Sequence, residues 1–438
     1  MKKATKRLVA AALAALVTTS VCATFTGCGA GNTETTAATP MATLPDNSTE
    51  TTTDTTGEGT TTASSGDIET EATTTASSSS NQGQVTPPPA VMNGMNVLTG
   101  EPCVNDVSYK KPLAIVVDNS PLAIPYQTGL DQADVLYEAL VAPGITRFLM
   151  VTADYTQVDK VSNIRSGRDY HLDFAAFHNA VLVCHGGHTE NPVENYDFYS
   201  LVAARLGSRW AFVDTQFEAW FAHDDKGQQY GTIDKNVVRP DLNYNTIFKP
   251  DAMTALLGST SSKFVSHGYG TLYGQARESL KFIPYGTEKD MSGAGTANNV
   301  RLSFTCSGSA GAFAVSYQYD AASGKYLRNQ RDGMAHIDSE TKKQLSFTNV
   351  ITLFTNVKNV DSKVSSDPNM AMVETMGSGV GYYFHGGKVI NITWSSDGSV
   401  LRLIDPNGEE LKLATGNTYI GYLDNAYLSS LNGTPFWN

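Results

Sequence analysis

Val135-Leu136-Tyr137-Glu138-Ala139-Leu140-Val141 and Ile145-Thr146-Arg147-Phe148-Leu149-Met150-Val151 flank the dipeptide Pro143-Gly144. Two apolar runs of strand length around a turn signal predict an antiparallel hairpin. In it, Glu138 and Arg147 fall within about one residue of facing each other. Upstream, Pro112-Leu113-Ala114-Ile115-Val116-Val117-Asp118 is a β-branched apolar run ended by a polar turn, the pattern of a buried strand. Downstream, residues 169–177 read as a short helix and 180–185 as another buried strand, closing on Gly186-Gly187. Residues 191–206 read as a helix with Tyr196, Tyr199 and Val202 on one side. Strands alternating with helices predict a mixed α/β domain.

The second half changes character. Residues 300–304, 313–319, 349–354, 381–384, 388–394 and 400–404 are strand-like, separated by Gly-Gly, Asp-Gly and Asn-Gly turns. Short strands at close spacing predict a β-rich unit. The expected fold class is α+β. A mixed α/β domain over residues 96–295 precedes a β-rich domain over 296–438, with the boundary inside Ser292-Gly293-Ala294-Gly295.

The N-terminus sets the address. Met1-Lys2-Lys3-Ala4-Thr5-Lys6-Arg7 is basic, an apolar stretch runs from Leu8 to Phe25, and Phe25-Thr26-Gly27-Cys28 follows. A basic region, an apolar region and a small residue before a cut describe a secretory signal peptide over residues 1–27. The cysteine after Gly27 adds a bacterial lipobox, with Cys28 as the lipidation site and Phe25 where leucine is usual. The competing reading is an uncleaved signal anchor. Cys22 is a poor rival because Val21 precedes it. Removing residues 1–27 deletes four bases and no acids, taking the formal charge from −12 to −16.

Residues 28–95 form an acidic Thr/Ser-rich tether. No Phe, Trp or Tyr occurs between Phe25 and Tyr109, and no Lys or Arg between Arg7 and Lys110. Such a segment buries too little apolar surface to offset chain entropy. A flexible chain of about 60 residues has an end-to-end distance of roughly 40–45 Å, enough to lift a folded unit off a membrane. The acidic balance excludes the basic footprint of a nucleic-acid binder. After lipidation three cysteines remain, Cys103, Cys184 and Cys306, and an odd number cannot all pair within one chain.

Beyond these patterns, the chain resembles the YerB-like lipoprotein family. The likeness rests on Asp118-Asn119, Tyr137-Glu138-Ala139-Leu140, Gly144-Ile145-Thr146-Arg147, Arg165-Ser166-x-Arg168 and His185-Gly186-Gly187. In the second half it rests on Tyr319-Asp320, Gly324-x-Tyr326-x-Arg328, His336-x-Asp338, Gly377-Ser378-Gly379-x-Gly381 and Thr393-Trp394. The resemblance covers most of residues 110–425 and implies a lipid tether followed by two domains. It implies no particular reaction. One departure is Arg239-Pro240-Asp241-Leu242-Asn243-Tyr244, where the family usually shows His-Asn after the proline.

The candidate site gathers Asp118, Glu138, Arg147, Arg165, Ser166, Arg168 and His185, with Gly186 and Gly187 shaping its loop. Asp118 and His185 each end an apolar strand, where an α/β sheet presents side chains to a cleft. Arg165 and Arg168 open the 169–177 helix, and helix N-termini and guanidinium forks both suit carboxylate or phosphate. One reading is a ligand site for an acidic sugar, as in the lactyl carboxylate of cell-wall muramic acid. A catalytic extension makes Glu138 the proton donor for glycan cleavage, with Asp118 and His185 beside it. The structural alternative is an ion-pair network in which Arg147 neutralises Glu138.

His336-x-Asp338 reads either as a small polar ligand site or, more simply, as surface turn chemistry. His185-Gly186-Gly187-His188 with Glu190 supplies too few ligands for a metal site, and no metal or other cofactor is expected. Cys184 and His185, adjacent on a strand, point to opposite faces and form no nucleophile pair. Ser166 lacks a nucleophile elbow. Trp210, Phe217, Trp220 and Phe221 have helix-face spacing and read as core or rim, while Tyr382, Tyr383 and Trp394 read either as sugar-stacking rings or, more simply, as core aromatics. The expected partners are the membrane, through Cys28, and either cell-wall glycan or another envelope protein. Whether the chain is an enzyme is left open at this level; the discriminator is whether Glu138 is open or buried.

Overall fold

The computed structural model describes residues 94–107, 110–187, 198–206, 212–214, 231–233, 246–248, 275–306, 313–331, 333–360 and 369–438. Cys28, the tether up to residue 93, His188, Glu190, the residues Trp210, Phe217, Trp220 and Phe221, and the Arg239–Tyr244 departure lie outside the described residues. Among those residues, no helix is long and apolar enough to cross a membrane. Cys184 and Cys306 are buried, and Cys103 is partly exposed.

The apolar runs form the expected strands: β1 (Leu113–Asn119), β2 (Val135–Ala142), β3 (Ile145–Thr152) and β4 (Val181–Cys184). The helix α1 spans Asp169–Phe177, and α2 spans Phe198–Leu206. In the second half, β5 (Asn299–Phe304), β6 (Phe313–Asp320), β7 (Lys325–Asn329) and β8 (Ser346–Phe347) build a four-stranded antiparallel sheet. The strands β9 (Asn349–Thr355), β10 (Gly377–His385), β11 (Lys388–Ser396) and β12 (Thr418–Asp424) enter a larger sheet, and the helix α3 (Asn425–Ser430) follows. Few helices and many strands make the chain α+β.

That larger sheet has 11 strands, and its central path runs β11-β10-β9-β12-β2-β3-β1-β4. The strand β12 lies parallel to both β9 and β2, with Ile420 beside Ile351 on one side and Tyr137 on the other. The expected boundary near residue 295 is therefore not a break in the sheet. Residues 80–438 form one compact unit, because the last long strand returns to pair with the first half.

Three layers result. On one face, Tyr137 stacks on Phe174 of α1 with ring centroids 4.5 Å apart, and Phe174 meets Tyr422 at 4.8 Å. On the other face, Tyr419 meets Tyr317 and Phe347 of the four-stranded sheet at 4.9 and 5.6 Å. Strands buried on both faces are apolar over most of their length, as in β1 and β2, whereas β6 and β7 alternate.

The helix layer also buries a titratable group. His178, fully enclosed, has Nε2 2.7 Å from the Tyr137 hydroxyl and Nδ1 3.1 Å from Ser279 Oγ. Burial, with the nearby Arg277 charge, pushes its pKa down to about 3. It stays neutral in the fold but protonates in the unfolded chain below about pH 6.5. Its contribution to stability is therefore complete above that value and is lost as the pH falls toward 3. Asp134 has the opposite sign, because burial raises its pKa to about 6. Replacing His178→Gln removes only the first term. The variant is expected to lose less melting temperature than the parent between pH 7 and 4.5, a difference of about 2–3 kcal/mol. Thermal denaturation across that pH range measures it.

Candidate functional site

The hairpin register decides what the candidate residues do. With a two-residue turn at Pro143-Gly144, uninterrupted pairing would set Glu138 against Leu149 and leave Arg147 on the same face. A bulge between Leu140 and Ala142 shifts the register, so that Glu138 lies opposite Phe148 and Ala139 opposite Arg147. A one-residue shift moves a side chain to the other face. Glu138 and Arg147 therefore lie on opposite sides of the sheet, and the expected Glu138–Arg147 pair does not form.

Glu138 faces the four-stranded sheet and is fully buried. Arg328 of β7, also fully buried, reaches it with Nη2 at 3.1 and 3.0 Å from the two carboxylate oxygens. Oε1 also accepts from Asn119 Nδ2 at 2.9 Å and Thr146 Oγ1 at 2.6 Å, and Oε2 accepts from the Tyr419 hydroxyl at 2.7 Å. Both oxygens are occupied by protein donors. This geometry opposes the catalytic role expected for Glu138: a proton donor must reach a leaving group, and this carboxylate is closed in on every side. The Arg328 guanidinium also sits 5.1 Å from the Phe148 ring centroid. Burial disfavours its charge, but Glu138 outweighs that and holds the Arg328 pKa above its usual value.

His336 and Asp338 belong to the same buried layer, which corrects the surface-turn expectation. Both are about 1% exposed. His336 Nδ1 accepts from Arg328 Nη1, and Nε2 donates to Gln127 Oε1 at 2.6 Å. Burial, reinforced by the Arg328 charge, keeps this imidazole neutral, well below its usual pKa. Asp338 Oδ1 accepts from Thr128 Oγ1 at 3.2 Å and from the Glu340 and Thr341 amides at 3.0 and 3.1 Å. The pair fastens the second half of the chain onto the 127–128 segment and offers no ligand surface.

On the helix-side face the arginines come together. Asp118 lies opposite Arg147 in the β1–β3 register and pairs with Arg165, Nε to Oδ2 3.1 Å. Arg147 is 7% exposed and donates from Nη1 to the Ser166 carbonyl at 2.5 Å. Burial lowers its pKa to about 9; the repulsion of Arg168 and Arg165 adds to that, and Asp118 opposes it. Arg168, half-buried at the start of α1, donates from Nη1 to the Gly167 carbonyl at 2.9 Å. Its backbone amide donates to His171 Nδ1 at 2.9 Å, so the proton of this neutral imidazole sits on Nε2. Burial first, then Arg147 and Arg168, keeps the His171 pKa well below normal. Among the described residues, the Nε groups of Arg147 and Arg168 and Nε2 of His171 are buried donors without a protein acceptor.

A glycine loop supports this face. The His185 amide donates to the Arg165 carbonyl at 3.0 Å, the Gly167 amide to the Gly186 carbonyl at 2.9 Å, and Ser166 Oγ to the His185 carbonyl at 3.1 Å. His185 thus holds the loop through its main chain, and Ser166 through its hydroxyl. Gly186 has φ +81°, which favours glycine. A side chain at Gly167 or Gly187 would run into the ring of Phe198, the buried first residue of α2. Gly187→Ala is therefore expected to destabilise the unit by about 1–3 kcal/mol through overpacking. A thermal melt beside the parent chain checks it.

The structure thus separates the expected cluster into a buried Glu138–Arg328–His336–Asp338 layer and a helix-side Asp118–Arg147–Arg165–Arg168 group. Sequence reasoning missed His171 and the partner of Glu138. Arg328 carried a signal: it lies two residues from the inward-facing Tyr326 in a period-2 strand, which places it on the same inner face.

An α+β unit with this arrangement of motifs defines a family. The chain belongs to the DUF3048 proteins, described as proteins of unknown function: the N-terminal domain model matches residues 98–207 and the C-terminal domain model residues 304–420. A relative named "Putative lipoprotein YerB", from Bacillus subtilis strain 168, is 24% identical over 337 residues, covering 76% of this chain and 88% of that protein. The crystal structure of the YerB protein from Bacillus subtilis matches with TM-score 0.57 at 22% identity, covering 75% of this chain and 96% of the other. The structural match supports the fold.

Proposed function

We propose that this chain is a lipoprotein held at the outer face of the bacterial cytoplasmic membrane through Cys28, engaging an anionic ligand of the cell envelope with Arg147, Arg165 and Arg168. The lipobox in the sequence and the lipoprotein name of the Bacillus relative support the anchor. The observation that carries the binding reading is Arg147, a buried guanidinium with no carboxylate hydrogen-bonded to it among the described residues, repelled by Arg168 and Arg165 and countered by Asp118, which is itself paired with Arg165. An isolated buried charge is costly, and an anion bound at the half-exposed Arg165 and Arg168 would offset that cost. The ligand we favour is peptidoglycan glycan, whose muramic acid units carry carboxylates that a guanidinium fork accepts. Cleavage is not part of the proposal, because Glu138 is enclosed.

The test incubates the full chain, in detergent, with purified peptidoglycan and follows both retained protein and released fragments by mass spectrometry. Retention that falls with Arg168→Gln, with no released muropeptides, is expected. Equal retention of both proteins would overturn the arginine site, and absence of retention would leave docking to another envelope protein as the reading to pursue.

A further inference from the structure

A second surface lies on the outer side of the four-stranded sheet, away from the buried Glu138 layer. Its floor is set by strand register: Asn299 faces Gln318, Arg301 faces Ser316, and Ser316 faces Asn329 on the next strand. In β5, Asn299 and Arg301 are exposed while Val300 and Leu302 are buried, and in β6 Gln318 is exposed while Tyr317 is buried. Period-2 alternation therefore puts these five polar side chains on one face. The helix α3 and the tail after it form a wall, with Tyr427 donating its hydroxyl to the Arg301 carbonyl at 3.1 Å and Pro435 alongside. Together they enclose a cleft of about 500 Å³, within the usual size of small-ligand sites.

The chemistry of the lining narrows its occupant. Amide and hydroxyl side chains both donate and accept, which suits sugar hydroxyls and acetamido groups. No Asp or Glu side chain lines the cleft, and its one cation is Arg301, so neither a metal ion nor a cationic peptide is matched. Strand addition at this edge of β5 is already taken by the tail: Val300 bridges Trp437, and Asn299 and Asn438 exchange two backbone hydrogen bonds of 2.9 Å. We infer that this cleft is a binding site for N-acetylated glycan, separate from the arginine group. It takes sugar through Asn299, Ser316 and Gln318, and Arg301 stands ready for an acidic substituent. The inference stands on its own geometry and does not depend on the arginine reading.

The test titrates the full chain in detergent with a soluble N-acetylglucosamine tetramer by isothermal calorimetry. Saturable binding is expected, weakened about 10-fold or more in Asn299→Leu/Gln318→Leu, since each lost hydrogen bond is worth roughly 0.5–1.5 kcal/mol. Arg168→Gln should bind the tetramer as the parent does. Ser316→Tyr, which fills the cleft without touching the core, provides a second blocking variant, and thermal melts establish that each variant is folded. Absence of saturable binding by the parent chain, or unchanged affinity in folded Asn299→Leu/Gln318→Leu and Ser316→Tyr, would overturn the inference. Loss of tetramer binding in Arg168→Gln would overturn its separateness.

Discussion

Arg328→Met is expected to destabilise the folded unit by about 3–5 kcal/mol, the usual cost of stranding one member of a buried ion pair. Glu138 would keep its contacts to Asn119, Thr146 and Tyr419 but lose the one cation hydrogen-bonded to it among the described residues. For a unit of this size the melting temperature should fall by on the order of 5–10 °C. Glu138→Leu/Arg328→Met should recover most of that loss, because an apolar pair of similar volume removes both desolvation penalties. Glu138 lies on β2 and Arg328 on β7, 190 residues away, so the pair also joins the two family-defined halves. Calorimetric melts of the parent, both single variants and the double variant give the coupling energy directly. A strictly additive cycle would contradict the structural role assigned to Glu138.

Arg168→Gln is expected to have opposite effects on binding and on stability. In the absence of ligand, it removes a positive charge that repels the buried Arg147, so the melting temperature should hold or rise slightly. Binding of an anionic wall ligand should fall about 10- to 100-fold, since a hydrogen bond to a charged group contributes roughly 1.5–3 kcal/mol. Stability held in reserve against function is common at binding sites. Arg165→Gln serves as a contrast. It should weaken binding and also lower stability, because Asp118, about 1% exposed, loses its ion pair. A purely structural arginine group predicts the other sign for Arg168→Gln: lower stability and unchanged binding.

The strands were legible and their neighbours were not. The runs at 113–118, 135–141 and 145–151 are predominantly apolar without alternation because both faces of those strands are covered. The alternation in β6 and β7 likewise marks a sheet with one open face. Nothing local says that β12 inserts parallel between β9 and β2, since pairing across some 280 residues is decided by global packing. Hence a boundary near residue 295 was a reasonable expectation from turn chemistry and yet falls within a shared sheet.

The partners of the candidate residues were not legible. Asp118 at its strand end and Arg165 before the helix pair with each other, and Asp118 lies opposite Arg147 in the β1–β3 register. Glu138 was assigned to the wrong face because a single bulged residue at Val141 reverses the side on which every earlier residue of β2 points. The imidazole of His171 escaped notice because an apolar helix gives no hint that its histidine accepts from the backbone amide three residues before it.

The central claim is that the helix-side arginines hold an anion. The most direct measurement is the affinity of the full chain, in detergent, for a soluble muramic acid-containing glycan fragment, taken at several salt concentrations for the parent and for Arg168→Gln. The account predicts affinity that weakens as salt rises and falls about 10- to 100-fold in the variant, whose melting temperature is unchanged or higher. Affinity that is insensitive to salt, and equal in the two proteins, would contradict it.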